Sequence, residues 1–237
     1  MKKLPSLLIG FLVASFVMAT PMLGFAQGVS NVTQIGFDNY IYVYQEVLSE
    51  VIILQLGDEN SSSVDQIGSG HIAGIGQVGE DNEAEIHQLG QGDLVLTMQF
   101  GAGNSASITQ MHSSAWSFPV GAVSDNDAFS YQSGLYNILN LLQIGDDNTS
   151  SIYQIDNNNE AFVVQEQFPL GVGTNAALVV QIGVSNWTSV QQAGAQLFSG
   201  SLQLGDDNAT LINQQGLDNT VSVFQTGNHN TFTATQG

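Results

Sequence analysis

The chain has 237 residues, with 21 Asp and Glu against 2 Lys and Arg, a formal net charge of −19 at pH 7, and no cysteine. Both cations, Lys2 and Lys3, sit at the N-terminus, so from residue 4 onward no basic side chain exists to release counterions from nucleic acid or to dock on anionic lipid. Disulfides are excluded as a source of stability, and abundant Gly, Asn, Gln and Ser argue against a conventionally packed core.

Met1-Lys2-Lys3 places positive charge ahead of an apolar run from Leu7 to Met18, and Gly24 and Ala26 bracket a cleavage point before Gln27. Residues 1–26 therefore read as a secretory signal peptide; Pro21 and the missing stop-transfer charges weigh against a membrane anchor.

Beyond residue 27 the dominant signal is a repeat. Glutamine recurs at Gln34, Gln45, Gln55, Gln66, Gln77, Gln88, Gln99 and Gln110, then at Gln132, Gln143, Gln154 and Gln165. The steps are of eleven residues, apart from ten between Gln45 and Gln55 and a double step across Gly121. A second block runs Gln181, Gln192, Gln203, Gln214, Gln225 and Gln236. The longer interval from Gln165 to Gln181 predicts a five-residue loop insertion within 166–174, and residues 115–121, interrupted by Pro119, read as a degenerate strand. Counting that slot gives nineteen units.

Within each unit the residues two and four before the glutamine are small or β-branched, as in Ala84 and Ile86 before Gln88, which is the period-2 pattern of a strand. A four-residue turn follows, commonly carrying glycine: Gly36, Gly57, Gly79, Gly101, Gly145, Gly183, Gly205 and Gly227. Carboxylates, which played no part in setting this phase, fall in turns or at outward strand positions. Asp93 alone lands inward, where other units carry Asn. Two such units close a 22-residue coil. The predicted fold is an all-β solenoid of stacked two-strand coils, cross-β and amyloid-like, about 4.8 Å per coil and on the order of 45 Å long.

Asn39, Asn60, Asn82, Asn104, Asn126, Asn148, Asn175 and Asn219 recur with the coil, and with the glutamines they are expected to form stacked amide ladders, since a primary amide both donates and accepts. Other candidates are weaker. His71, His87, His112 and His229 are scattered over inward and outward positions, which does not suit a tetrahedral zinc site. The Gly-Asp-Asp turns lack calcium-loop spacings. No metal, cofactor, small-molecule or catalytic site is expected. Tyr40, Tyr42 and Tyr44 project outward from one strand, and Thr231, Thr233 and Thr235 from another.

Two lines of the sequence, Ser49-x5-Gln55-x-Gly57-x2-Asn60-x-Ser62-x3-Gln66 and Gln99-x-Gly101-x-Gly103-Asn104-x-Ala106-x3-Gln110, resemble the curlin repeat, and the resemblance runs over nearly all of Val29 to Gly237. It implies a structural subunit of a curli-type extracellular amyloid fibre, crossing the periplasm and polymerising at the cell surface for biofilm matrix and adhesion. The implied partners are other copies of the chain, a nucleator subunit and an outer-membrane secretion pore. The repeats begin at Gly28 and run to Gln236 without a blunting cap, so end-to-end addition is expected to continue the stack. Three alternatives stay open: a nucleator of the same kind of fibre, a monomeric solenoid that binds ice or another surface through rows such as Thr231-Thr233-Thr235, and a solenoid stalk or polysaccharide-cleaving enzyme.

Overall fold

The structure, a computed structural model, describes residues 17–19, 28–111, 125–167 and 173–237. In chain order the strands are β1 (Val17–Ala19), β2 (Val29–Ile35), β3 (Tyr40–Gln45), β4 (Glu50–Leu56), β5 (Ser61–Ser69) and β6 (Ile72–Glu80). Then come β7 (Glu83–Gln91), β8 (Leu94–Ala102), β9 (Ser105–Met111), β10 (Asp127–Leu135), β11 (Ile138–Ile144) and β12 (Thr149–Ile155). The series ends with β13 (Glu160–Glu166), β14 (Ala176–Ile182), β15 (Trp187–Ala195), β16 (Phe198–Leu204), β17 (Ala209–Leu217), β18 (Thr220–Thr226) and β19 (Thr231–Gln236).

Odd-numbered strands form one sheet of ten and even-numbered strands a second sheet of nine, each in simple numerical order. All pairs are parallel, and consecutive strands lie in opposite sheets, so the chain winds as a β-solenoid. The eighteen strands from β2 to β19 make nine coils, about 43 Å of stack at about 4.8 Å per coil. Each strand sends three residues inward. The first is commonly small, the second aliphatic and the third glutamine, as in Ala84, Ile86 and Gln88 or Ala106, Ile108 and Gln110, all buried. Small faces glutamine across the thin interior and aliphatic faces aliphatic, which leaves one continuous apolar strip flanked on both sides by amides.

Pairing like on like fixes the register: Gln34 with Gln55, Gln77 with Gln99, Gln203 with Gln225. It also corrects the unit count. Residues 115–121, read as a degenerate strand, lie outside the described residues, and the strands on either side pair with no rung between them, Gln99 with Gln132 and Gln110 with Gln143. Skipping one unit reverses the sheet to which every later unit belongs. The insertion keeps the register by a different route. Gln154 bonds Gln181 and Gln165 bonds Gln192, each 27 residues on. Glu166 still belongs to β13, pairing with Ile144 and Ala193, and Gln167 bridges Asp146 N–H to the carbonyl of Gly173. Residues 168–172 lie outside the described residues.

β1 runs beside β3 in the segment read as a signal peptide, the remainder of which lies outside the described residues. Among the described residues no helix is long and apolar enough to cross a membrane.

The turn glycines are held by the stack itself. Gly57, Gly79 and Gly101 have φ of +114°, +125° and +114°, and a Cβ on Gly79 would collide with the carbonyl oxygen of Gly101 one rung away. Gly79→Ala is therefore expected to destabilise the rod by about 1–3 kcal/mol, from backbone strain alone, before any clash is relieved. Chemical denaturation of the variant beside the parent measures this; equal midpoints would mean that the corner is free to rearrange.

Candidate functional site: the amide columns

The geometry in which function is to be sought is a set of four side-chain columns running the length of the rod. Two are glutamine columns. In the even sheet, Gln34, Gln55, Gln77, Gln99, Gln132, Gln154, Gln181, Gln203 and Gln225 are linked head to tail by Nε2-to-Oε1 hydrogen bonds of 2.8–3.0 Å. In the odd sheet Gln45, Gln66, Gln88, Gln110, Gln143, Gln165, Gln192, Gln214 and Gln236 do the same, at 2.8–3.4 Å. From Gln55 to Gln225 the second proton of each Nε2 goes to the backbone of the facing sheet: Gln77 donates to Ser61 O and Gln99 to Glu83 O. Each glutamine thus ties its rung to the next and one sheet to the other. Inward hydroxyls join in, Ser62 Oγ donating to Gln77 and Ser150 Oγ to Gln165.

The other two columns stand at the corners. Where the chain passes from the even to the odd sheet, Asn39, Asn60, Asn82, Asn104, Asn137, Asn159, Asn186, Asn208 and Asn230 form an unbroken ladder, each Nδ2 donating to the previous Oδ1. The Nδ2 of Asn82 also caps the carbonyl of Gly101, and its backbone N–H reaches Asn60 Oδ1, so the amide is fully used. The eight asparagines expected as a single series are divided between corners. Asn39, Asn60, Asn82 and Asn104 stand here, whereas Asn126, Asn148, Asn175 and Asn219 stand at the opposite corner, because Asn104 bonds Asn137 and not Asn126. Gly145 likewise lies at the opposite corner from Gly36, Gly57, Gly79, Gly101, Gly183, Gly205 and Gly227, its Cβ direction aimed at Gln167. Sequence reading missed Asn137, Asn159, Asn186, Asn208 and Asn230. The signal was available: each stands five residues after a glutamine of the even sheet.

The opposite corner is irregular. From the N-terminal end its column reads Ser49, His71, Asp93, Asn126, Asn148, Asn175, Leu197, Asn219. His71 and Asp93 are both fully buried. Asp93 Oδ1 accepts from the backbone and side-chain amides of Asn126, Oδ2 lies 3.3 Å from His71 Nδ1 without a hydrogen bond, and His71 Nε2 contacts Ile67 O. Imidazole and carboxylate thus fill two amide positions and reproduce the amide exchange only in part. The remaining described histidines are apart from them: His87 lies on the odd sheet's outer face beside Glu85 and Asp65, and His229 in a turn near Asp207. His112 lies outside the described residues. Among the described residues no group of three or more metal-ligating side chains is arranged to hold an ion. Tyr40, Tyr42 and Tyr44 lie on the outer face of β3, and the threonines of β19 adjoin Ala209, Leu211 and Asn213, so their row does not extend to a second rung.

Outside the columns, stacked turns bring carboxylates together. Glu59 is raised above the ordinary carboxyl value by its hydrogen bond and charge contact with Asp81, then by Asp38 and Asp58. Asp127 is raised chiefly by burial, then by Asp125, Asp93 and Asp147. Both bind a proton more tightly folded than unfolded. The stability linked to them is present in full below the ordinary carboxyl range, near pH 4, and is lost as pH rises through the raised values. The midpoint of thermal unfolding should therefore be higher at pH 4.5 than at pH 7, and Glu59→Gln should reduce the difference; a flat or inverted profile would remove stacked carboxylates as its source.

The mixed corner gives a second expectation. Asp93→Ala removes the buried acceptor shared by the backbone and side-chain amides of Asn126, at a cost of about 1–3 kcal/mol, while the double change His71→Asn with Asp93→Asn makes the column asparagine from residue 71 to Asn175 and should raise stability above that of the parent. Unfolding midpoints of the three proteins decide it.

Residues 49–79, 79–110 and 205–237 match the family profile described as the curlin associated repeat. No curated protein and no solved structure matches the chain. The matched stretches hold the same glutamine columns, corner asparagines and positive-φ turn glycines as the rungs between them, and the chain thus carries curlin-associated repeats.

Proposed function

We propose that the chain is a structural subunit of an extracellular, curli-type fibre, exported with residues 1–26 as a cleaved signal peptide and polymerising head to tail at the cell surface. The observation that carries this reading is the polarity of the columns. Every glutamine donates toward the C-terminal end of the rod, so among the described residues Gln34 Oε1 at the N-terminal end is a buried acceptor with no partner, while Gln225 Nε2 at the other end has only Ala209 O. The asparagine ladder runs the other way and leaves Asn230 Oδ1 facing outward from the C-terminal end. A second copy added in the same orientation satisfies both columns at once, and one added upside down sets donor against donor.

Backbone pairing supports the same direction of growth. β18 and β19 each have one neighbour in their sheets, and parallel in-register addition of β2 and β3 from another copy extends both. Loss of residues 1–26 would take β1 with it and leave β3 with β5 alone. Such a contact is heterologous and non-closing, so it yields a filament. Biofilm matrix and adhesion are the roles that follow for a curli-type fibre, with a nucleator subunit and an outer-membrane pore as its partners in assembly and export.

Unbranched fibres with a meridional reflection near 4.7–4.8 Å are expected from the purified chain. Gln225→Glu replaces the free donor by a carboxylate that faces the Gln34 acceptor, and should slow elongation from parent seeds about tenfold, the equivalent of one poorly matched buried hydrogen bond. Seeded thioflavin kinetics test it: a rate equal to the parent's would remove the glutamine column as the growth contact, and absence of fibres in any condition would remove the reading.

A further inference from the structure

The two outer faces of the rod differ in charge. On the odd sheet Asp65, Glu83, Glu85, Glu160 and Glu166 point outward, with Asp65 and Glu85 in mid-strand. On the even sheet only Glu50, Glu80 and Asp127 do so, each the first or last residue of its strand, so the middle of that face carries no charge over all nine strands. Ile52, Leu54, Leu96, Leu178 and Phe224 are exposed there, at 40–61%, with Phe224 the highest. At its centre the rings of Phe100 and Tyr131, Tyr131 and Tyr153, and Phe129 and Tyr153 pack with centroids 5.7, 6.5 and 5.3 Å apart.

We propose that the even-sheet face is a lateral docking surface for a second copy of this chain, two rods packing face to face with their acidic faces turned outward. This goes beyond head-to-tail growth and does not require it, since a single rod already presents the whole face.

Area and charge both select this occupant. Nine strands at about 4.8 Å by seven residues at about 3.3 Å give a face of about 1,000 Å², above the roughly 800 Å² per partner of a stable complex and above the largest apolar patch usual on a monomer. Each copy carries the same acidic excess and no cation after Lys3, so two copies can approach closely only where carboxylates are absent. An anionic membrane is repelled on the same ground. The central aromatic cluster supplies the anchors that a buried interface concentrates at its middle. Stacked sheets with a common strand spacing also stay commensurate along the axis, as in a dry interface between paired sheets.

The test is mass per length of fibres by scanning transmission electron microscopy. Parent fibres are expected to hold two chains per about 43 Å of axis. Leu96→Glu with Leu178→Glu, and the milder Leu96→Ser with Leu178→Ser, should halve that value and keep the 4.8 Å reflection, whereas Ser107→Glu with Asn140→Glu on the odd sheet should leave it at two. One chain per length in the parent, or equal values for face and control variants, overturns the proposal. If the chain forms no fibres, head-to-tail growth fails and sedimentation equilibrium of the soluble rod decides this proposal: a dimer lost in the even-face variants supports it, and a monomer overturns it. Single rods that co-float with phosphatidylcholine vesicles would assign the face to lipid and overturn it too.

Discussion

A primary amide buried between two sheets has to find both donors and acceptors, and in this rod it finds them one rung above and one rung below. That requirement governs the architecture. Glutamine columns tolerate no slip, since a shift of one residue would turn every inward amide to solvent and leave its neighbours unpaired. Changes in chain length are consequently confined to places where whole rungs can be kept in line, and spacings of 21, 22, 27 and 33 residues all end in the same Nε2-to-Oε1 contact.

Those departures are not distributed evenly. The short turn after Gln45, the skipped unit before Gln132 and the insertion after Gln165 all fall where the chain passes from the odd sheet to the even one. The same corner holds Ser49, His71, Asp93 and Leu197 in place of asparagine. The other corner keeps asparagine on every rung and a constant five-residue step from the glutamine. Once one corner is fully bonded, register is already set for both sheets, and the second corner is free to vary in length and chemistry at modest cost.

Much of this was legible in the sequence because the period is short and its chemistry is redundant. Glutamine spacing, period-2 alternation and the segregation of carboxylates each specify the same strand phase, and the inward position of Asp93 was readable from that phase alone. The error at Gly121 came from treating the period as continuous. A sequence count cannot tell a weak rung from an absent one, because Pro119 and the missing glutamine are compatible with both. One miscounted rung then exchanged the two corners for every later unit, which merged two asparagine columns into one and hid Asn137 through Asn230. The difference in charge between the two outer faces was hidden for the same reason: outward residues were visible, and the sheet to which each belonged was not.

The small rise per coil has a consequence for how the rod looks from a distance. Spreading 21 acidic groups over about 43 Å of axis gives roughly one carboxylate every 2 Å, with no basic residue after Lys3 to offset them. Duplex DNA carries about one charge per 1.7 Å. In water two unit charges interact by about the thermal energy at roughly 7 Å, so charges this closely spaced along a line hold a layer of condensed cations. To ions and polycations around it, the protein is a polyelectrolyte of nearly nucleic-acid linear charge density, and because each added coil brings its own share of carboxylates, lengthening the rod leaves that density unchanged.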